Sequence, residues 1–346
     1  MRDRILLAHG DGGLLTAQLV EEVFLKNLGG QVAGGLLDAA VLEHRDADPG
    51  GGTRAGQRRL ALTTDSFVVK PIFFPGGDIG SLAVHGTVND LASVGARPVG
   101  LSAAFILEEG LEIAVLERVV ASMGRAAAHA GVPIVTGDTK VVERGAADGL
   151  FINTTGLGEL LPAANLSFSR LRPGDRVLVS GTVGDHGVAV LSQRKGLSFE
   201  AGVVSDSAPL FGLIAPLLEN VSEVKFLRDP TRGGLATTLK EISASAGGID
   251  IVIHEDRVPV RPAVAGACEL LGLDPLYLAN EGKVIVVVGE SGAADALSIL
   301  RRHPLGAGAE EIGRVEAGQG DLWLTTPLGG TKRLDRLAGE QLPRIC

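Results

Sequence analysis

Residues 111–139 read LEIAVLERVVASMGRAAAHAGVPIVTGDT, and this stretch decides the fold class. Leu116, Val119, Val120, Met123, Ala127 and Ala130 recur at the spacing of one helical face, and Gly131 with Pro133 stops the run. Ile134-Val135-Thr136 then reads as a strand running into a polar turn at Gly137-Asp138-Thr139. A helix followed directly by a strand predicts an α/β (α+β) chain. Upstream, residues 60–69 (LALTTDSFVV) read as a strand interrupted by an acidic turn at Asp65, and residues 81–95 as a helix. Downstream, residues 149–156 read as a strand. Residues 159–174, with Pro162, Ser167, Ser169, Pro173 and Gly174, break the periodicity. That break sets two units, 1–158 and 171–334. The second opens on a strand at 176–180, carries helical patterns at 186–193, 208–221 and 233–246, and holds buried strands at 251–253 and 284–288. A tail, 335–346, follows.

The chain has 346 residues, of which 45% are hydrophobic and 21% charged, which excludes wholesale disorder and a fibrous repeat. Its length favours two domains over one core. The formal net charge of −9 has the wrong sign for a phosphate-backbone binder, so no nucleic-acid partner is expected. No apolar run is long enough to span a membrane and no leader is recognisable, so a cytoplasmic location is expected. The two cysteines, Cys268 and Cys346, give neither a disulfide framework nor metal-ligand spacing. Cys268 lies in an apolar helical pattern and reads as a core thiol. Cys346, the last residue, sits beside Arg344 with no core to fill and reads as an exposed nucleophile.

Gly282-Lys283 lacks the upstream glycine of a P-loop, and the common dinucleotide, hydrolase and zinc-protease motifs are absent. What remains is a set of aspartates in short Gly, Thr or Asn settings: Thr64-Asp65-Ser66, Asn89-Asp90, Gly137-Asp138-Thr139 and Arg228-Asp229-Pro230. Hard carboxylate oxygens suit Mg²⁺, which is commonly held by one or two carboxylates together with phosphates. Asp65, Asp90, Asp138 and Asp229 therefore point to an ATP·Mg site, although Asp229 also reads as an N-cap for residues 231–246. The glycine clusters at His9-Gly10-Asp11-Gly12-Gly13 and Arg232-Gly233-Gly234 read as backbone cradles for phosphate. A third, Pro75-Gly76-Gly77-Asp78, reads as either a cradle or a helix cap. Lys140 and Glu281, an amine and an acid at strand edges, are candidates for charge stabilisation and proton transfer.

Taken together these segments, with Gly86-Thr87-Val88-Asn89-Asp90, Asn280-Glu281-Gly282-Lys283 and the terminal Pro343-Arg344-Ile345-Cys346, resemble the HypE family of hydrogenase maturation proteins. That family lies within the superfamily of aminoimidazole ribonucleotide synthetase, selenophosphate synthetase and thiamine-monophosphate kinase. The resemblance spans nearly the whole chain, and the terminal tetrapeptide discriminates within the superfamily. It implies an N-terminal ATP-binding domain that dimerises through its sheet in a barrel-like interface, a C-terminal α+β domain over the cleft, and a mobile tail hinged at Gly339 and stiffened by Pro343. It further implies that a HypF carbamoyltransferase loads the thiol of Cys346, that ATP drives dehydration of the thiocarbamate to a thiocyanate, and that a HypC/HypD complex receives the cyanide destined for [NiFe] hydrogenase iron. By the same resemblance, Asp65, Asp90, Asp138 and Asp229 hold Mg²⁺ and nucleotide, and Asn89, Gly137, Gly12 and Gly13 help position the phosphates. Lys140 and Glu281 join Cys346 as catalytic residues. Asp11 departs from the pattern, which has a small residue there. A selenophosphate synthetase would need a reactive residue in the N-terminal glycine loop, and this chain has no cysteine before Cys268. A non-catalytic ATP-binding scaffold for metallocentre assembly is the alternative from another class.

Overall fold

The computed structural model describes residues 4–10, 12–28, 37–44, 58–197, 202–337 and 344–346. Five strands form the first sheet: β1 (Ala40–His44), β2 (Arg58–Phe67), β5 (Ala96–Glu108), β6 (Ile134–Val142) and β7 (Leu150–Leu160), in the order β1-β2-β7-β5-β6. All neighbours are antiparallel except β5 and β6. A two-stranded ribbon, β3 (Phe73–Phe74) with β4 (Gly77–Asp78), leads into helix α3 (Ile79–Ser93). The short helices α1 (Leu14–Leu19) and α2 (Lys26–Leu28) precede them.

Helix α3 is the axis of the molecule. Every residue in it is buried except Ser81 and Asp90, which are partly exposed. A helix with so few exposed positions is enclosed on all sides, and its polar residues Thr87 and Asn89 are hydrogen-bonded inside. One flank packs on β2 and β7, another on α4 (Ile113–Ala130), and the remainder meets the C-terminal half. The Asp78 carboxylate caps its start by accepting from the amides of Gly80 and Ser81 at 2.8 and 3.1 Å, so the Pro75–Asp78 cluster is a turn and cap rather than a phosphate cradle. Gly131, at φ 67°, closes α4 in the left-handed conformation that suits glycine.

The second sheet has seven strands: β8 (Arg176–Val179), β9 (Val224–Arg228), β10 (Ile249–His254), β11 (Ile285–Val288), β12 (Glu310–Ala317), β13 (Leu322–Thr325) and β14 (Thr331–Leu334), ordered β14-β13-β10-β12-β8-β11-β9. Apolar cores lie on both of its faces. Val177 and Val179 join one, with α7 (Gly234–Ala246), while Leu178 joins the other, with α6 (Phe211–Asn220) and α9 (Ala293–Arg302). Burial on both faces is why β11 is uninterruptedly apolar. The core around α3 is shared between the halves, because α5 (Asp185–Lys195) and α8 (Pro262–Leu271) contribute Val188, Leu191, Val264 and Cys268 to it. Cys268 is the core thiol that its sequence setting implies, and burial pushes its pKa up to about 11.

Two local readings change. β2 runs unbroken through Asp65, because Thr64, Asp65 and Ser66 pair with Thr155, Thr154 and Asn153 of β7. Likewise β6 continues through Gly137-Asp138-Thr139, which pair with Ala103, Ala104 and Phe105 of β5. Ladder hydrogen bonds from a neighbouring strand override the local preference of Asp and Gly for a turn.

The contact between α3 and α4 supplies a stability test. A Cβ at Gly80 would lie 2.4 Å from the Val119 carbonyl oxygen, so α3 and α4 meet at this spacing only because residue 80 has no side chain. Gly80→Ala is expected to lose about 1–3 kcal/mol, read as a lower urea midpoint at unchanged slope. A loss below about 0.5 kcal/mol would show that the two helices separate freely.

Candidate functional site: an acid-lined cleft holding the terminal thiol

A cleft of about 450 Å³ opens between the two halves. Four separate elements aim carboxylates into it. Along β2 the odd-numbered residues face α3, which brings Thr63, Asp65 and Phe67 to the covered side. A Cβ at Gly86 of α3 would meet the Phe67 ring at 2.9 Å, so that glycine admits the ring and lets the strand end close in. One turn later Asp90, the partly exposed carboxylate of α3, accepts a hydrogen bond from the Thr63 hydroxyl at 2.8 Å. Asp229 follows β9 directly and is buried. It does not cap α7, whose N-cap is Gly233.

Glu281 lies in the loop before β11 and is also buried, with Oε1 lacking any hydrogen-bond partner. Its backbone is fixed from both halves: its amide donates to Asp206 at 3.1 Å and its carbonyl accepts from the Asn89 side chain at 3.1 Å. Asn89 also donates to the Ala208 carbonyl and accepts from the Leu210 amide. It therefore stands behind the cleft, joining α3 to the C-terminal half, and the geometry does not bring its amide to a ligand. Lys283 forms a buried ion pair with Asp206 at 3.0 Å.

Among the described residues, seven carboxylates and three guanidiniums line the cleft. Burial first, then the carboxylates of Asp229, Asp65 and Asp38, push Asp90 well above the usual carboxylate range. Burial and Asp38 do the same to Asp229 against the pull of Arg228, and burial with Asp229 does so to Glu281. Asp65 is raised by burial, with Arg232 opposing. Arg228 pairs with Asp38 and Glu241, each at 3.1 Å, so its charge is already committed. An excess of buried acids with mutually raised pKa values calls for a cation. The donor set fits Mg²⁺: all hard oxygens, including one orphaned acceptor. Among the described residues no three acidic, histidine or cysteine side chains cluster tightly enough to hold an ion unaided, so further ligands must come with the guest.

The remaining candidates divide. Gly12 lines the cleft at φ 82°, and a Cβ there would meet the Arg232 Cβ at 2.8 Å. Its amide donates to the Thr16 hydroxyl, and Gly13 is the buried N-cap of α1. Asp11, Gly339 and Pro343 lie outside the described residues. Gly137, Asp138 and Lys140 are on β6, the outer strand of the first sheet, away from the cleft of their own chain. Asp138 and Lys140 pair there at 2.7 Å with side chains 63% and 69% exposed.

Cys346 lines the acidic cleft. The chain end is docked beside β2: the Val68 amide donates to the Cys346 carbonyl at 3.0 Å, and the Ile345 side chain is buried in the shared core. His186 was missed by sequence reasoning, as were Arg228, Asp38 and Asp206. Its Nε2 lies 2.9 Å from the Ile345 carbonyl, which makes Nε2 the donor and leaves Nδ1 to accept from Ser205. Burial holds the ring below its usual pKa, hence neutral. A short polar insert between glycines, Gly184-Asp185-His186-Gly187, was the only signal available for it.

Fold and cleft together define an AIR synthase related protein. The N-terminal domain of that family matches residues 37–160 and its C-terminal domain residues 172–323. Carbamoyl dehydratase HypE of Azotobacter vinelandii is 51% identical over 341 residues, covering 98% of this chain and 96% of that protein. Among solved structures, HypE in a HypE–HypF complex superposes with a TM-score of 0.85 at 48% identity, covering 92% of this chain and 99% of that one. HypE in complex with ATP does so with a TM-score of 0.80 at 51% identity, covering 99% and 100%. The chain belongs to the HypE family.

The charge imbalance has a measurable sign. Because burial raises Asp90, Asp229 and Glu281 above their unfolded values, the stability of their protonated forms is present at low pH and is lost as pH rises through the raised values. Each unit of upward displacement costs about 1.4 kcal/mol once the group ionises. Without nucleotide or divalent cation, Asp229→Asn should lose less Tm than the wild type as pH rises from about 4, the unfolded value of an aspartate. Equal losses in calorimetry would mean that Asp229 is not held protonated by its surroundings.

Proposed function

We propose that the chain dehydrates an S-carbamoyl group on its own C-terminal cysteine to a thiocyanate, using ATP. The observation that carries this reading is the position of Cys346: a terminal thiol lining a cleft whose buried carboxylates need a cationic guest. The chain is an ATP-dependent carbamoyl dehydratase of hydrogenase maturation, and a HypF-type carbamoyltransferase supplies its loaded thiol.

The chemistry divides into two steps. The carbamoyl oxygen attacks the γ-phosphorus and ADP departs, which leaves an O-phosphorylated thioimidate and releases one N–H proton. The C–O bond then breaks, inorganic phosphate leaves with the former carbamoyl oxygen, the second N–H proton is lost, and the carbon–nitrogen triple bond is complete. Positioning and electrostatics do most of the work in such a transfer. Asp65, Asp90 and Asp229 would hold Mg²⁺, which supplies charge neutralisation at the triphosphate. Glu281, whose Oε1 has no hydrogen-bond partner, takes an amide proton. At Gly12 a Cβ would meet that of Arg232 at 2.8 Å, so the missing side chain lets this turn lie against Arg232 at the cleft, where its backbone would face the phosphates.

Asp138, Gly137 and Lys140 take their place through a homodimer. The face of the first sheet opposite α3 exposes Leu42, Leu62, Val99, Ile106 and Leu157, and its outer strand exposes Val135 and Val141. An apolar sheet face ending in an open edge is the surface that a second copy covers in a barrel-like joint. In that pair β6 faces the partner, where Asp138 supports its nucleotide and Lys140 the developing charge. A HypC/HypD complex is the acceptor of the cyano group, in the cytoplasm. No helix among the described residues is long and apolar enough to cross a membrane.

Intact-mass spectrometry tests the reading. Incubation with the carbamoyltransferase, carbamoyl phosphate and ATP should add about 43 Da and then leave about 25 Da, and Cys346→Ala should show neither. Glu281→Gln should load normally yet cyanate at least about 100-fold more slowly. Unchanged cyanation in Glu281→Gln would remove it from the proton transfer.

A further inference from the structure

The last three residues are held by more than their thiol needs. The Lys70 amide donates to the Arg344 carbonyl at 3.3 Å and the Val68 amide to that of Cys346, so the chain end lies antiparallel alongside residues 68–70, held by main-chain hydrogen bonds. The remaining carbonyl, of Ile345, accepts from His186, and Arg194 reinforces that of Arg344 at 2.7 Å. Side chains are read as well. Ile345 is 1% exposed. The Arg344 guanidinium pairs with Asp148, donates from Nε to the Val68 carbonyl at 3.0 Å, and lies 5.8 Å from the centre of the Phe151 ring. Arg344 takes φ 57°, a conformation that non-glycine residues seldom adopt, so its geometry depends on these contacts. Asp148 also meets Lys70 at 3.0 Å, and its hydrogen bonds to Arg344 and then Lys70 hold its carboxyl below the usual range.

We infer that this groove is a recognition site for C-terminal peptides ending in Arg-Ile-Cys, with Asp148 as the specificity-determining residue that selects arginine two positions before the thiol. The inference rests on Cys346 being the substrate thiol. Peptide recognition through main-chain pairing plus two side-chain pockets does not require covalent attachment. Attachment supplies a high effective concentration instead. The site therefore accepts its substrate in trans, as a free peptide or as the tail of another copy.

The test uses the full-length chain carrying Arg344→Ala and Cys346→Ala, whose own tail neither reacts nor pairs with residue 148, be it Asp or Arg. S-carbamoylated peptides corresponding to residues 342–346, with either Arg or Asp at position 344, are supplied with ATP, and the S-cyano product is followed by mass spectrometry. The Arg peptide should be converted about 10-fold faster than the Asp peptide, a ratio typical of one charge-assisted hydrogen-bonded pair. Adding Asp148→Arg should invert the preference. A gain of activity toward the Asp peptide cannot come from misfolding. Equal rates for both peptides, or no conversion of either by a preparation whose wild-type counterpart cyanates its own tail, would overturn the inference. Failure of the wild type itself would instead overturn the function on which it rests.

Discussion

Crowding several carboxylates into one largely enclosed cleft is the constraint on which the rest of this molecule depends. Asp65, Asp90, Asp229 and Glu281 come from a strand, a helix and two loops in both halves of the chain, and each is raised by burial. Like charges so placed repel unless protonated or neutralised by a guest. The surrounding fold resists their separation. Helix α3 is enclosed on all sides, Gly80 and Gly86 allow its neighbours to close in, and Asn89 ties it to the Glu281 loop. The cleft is thus poised for a cation and polyphosphate, with the repulsion relieved by binding.

The same scaffold presents a thiol from the far end of the chain. Docking through main-chain hydrogen bonds to residues 68–70 gives the terminal residues a fixed register while leaving them outside both sheets. A thiol that must be loaded by one protein, dehydrated in a closed cleft and delivered to another needs this combination of defined binding and release. His186, neutral and buried, joins the tail to Ser205, so the dock belongs to the shared core rather than to a loop.

Much of this was legible in the sequence, and the failures have physical causes. Periodicity identified α4 and its Gly131 stop, and the continuously apolar run found β11, because those signals are local. Asp65, Asp90, Asp229, Glu281 and Cys346 could be named as candidates, and they do converge on one cleft. The turns expected at Asp65 and Asp138 are strand, since ladder partners far away in sequence decide. Asn89 is a tie between halves, and Asp138 and Lys140 point away from their own cleft, facts set by topology that no short motif encodes. Arg228 and Asp38 find each other, and His186 finds the Ile345 carbonyl, across more than a hundred residues of chain.

In the proposed reaction the acid-lined cleft activates the oxygen of a carbamoyl group on the docked thiol by phosphorylation. Labelling that oxygen with ¹⁸O and following a single turnover tests it most directly. The label should appear in inorganic phosphate, one atom for each thiol cyanated. Label released into water, with unlabelled phosphate, would contradict it.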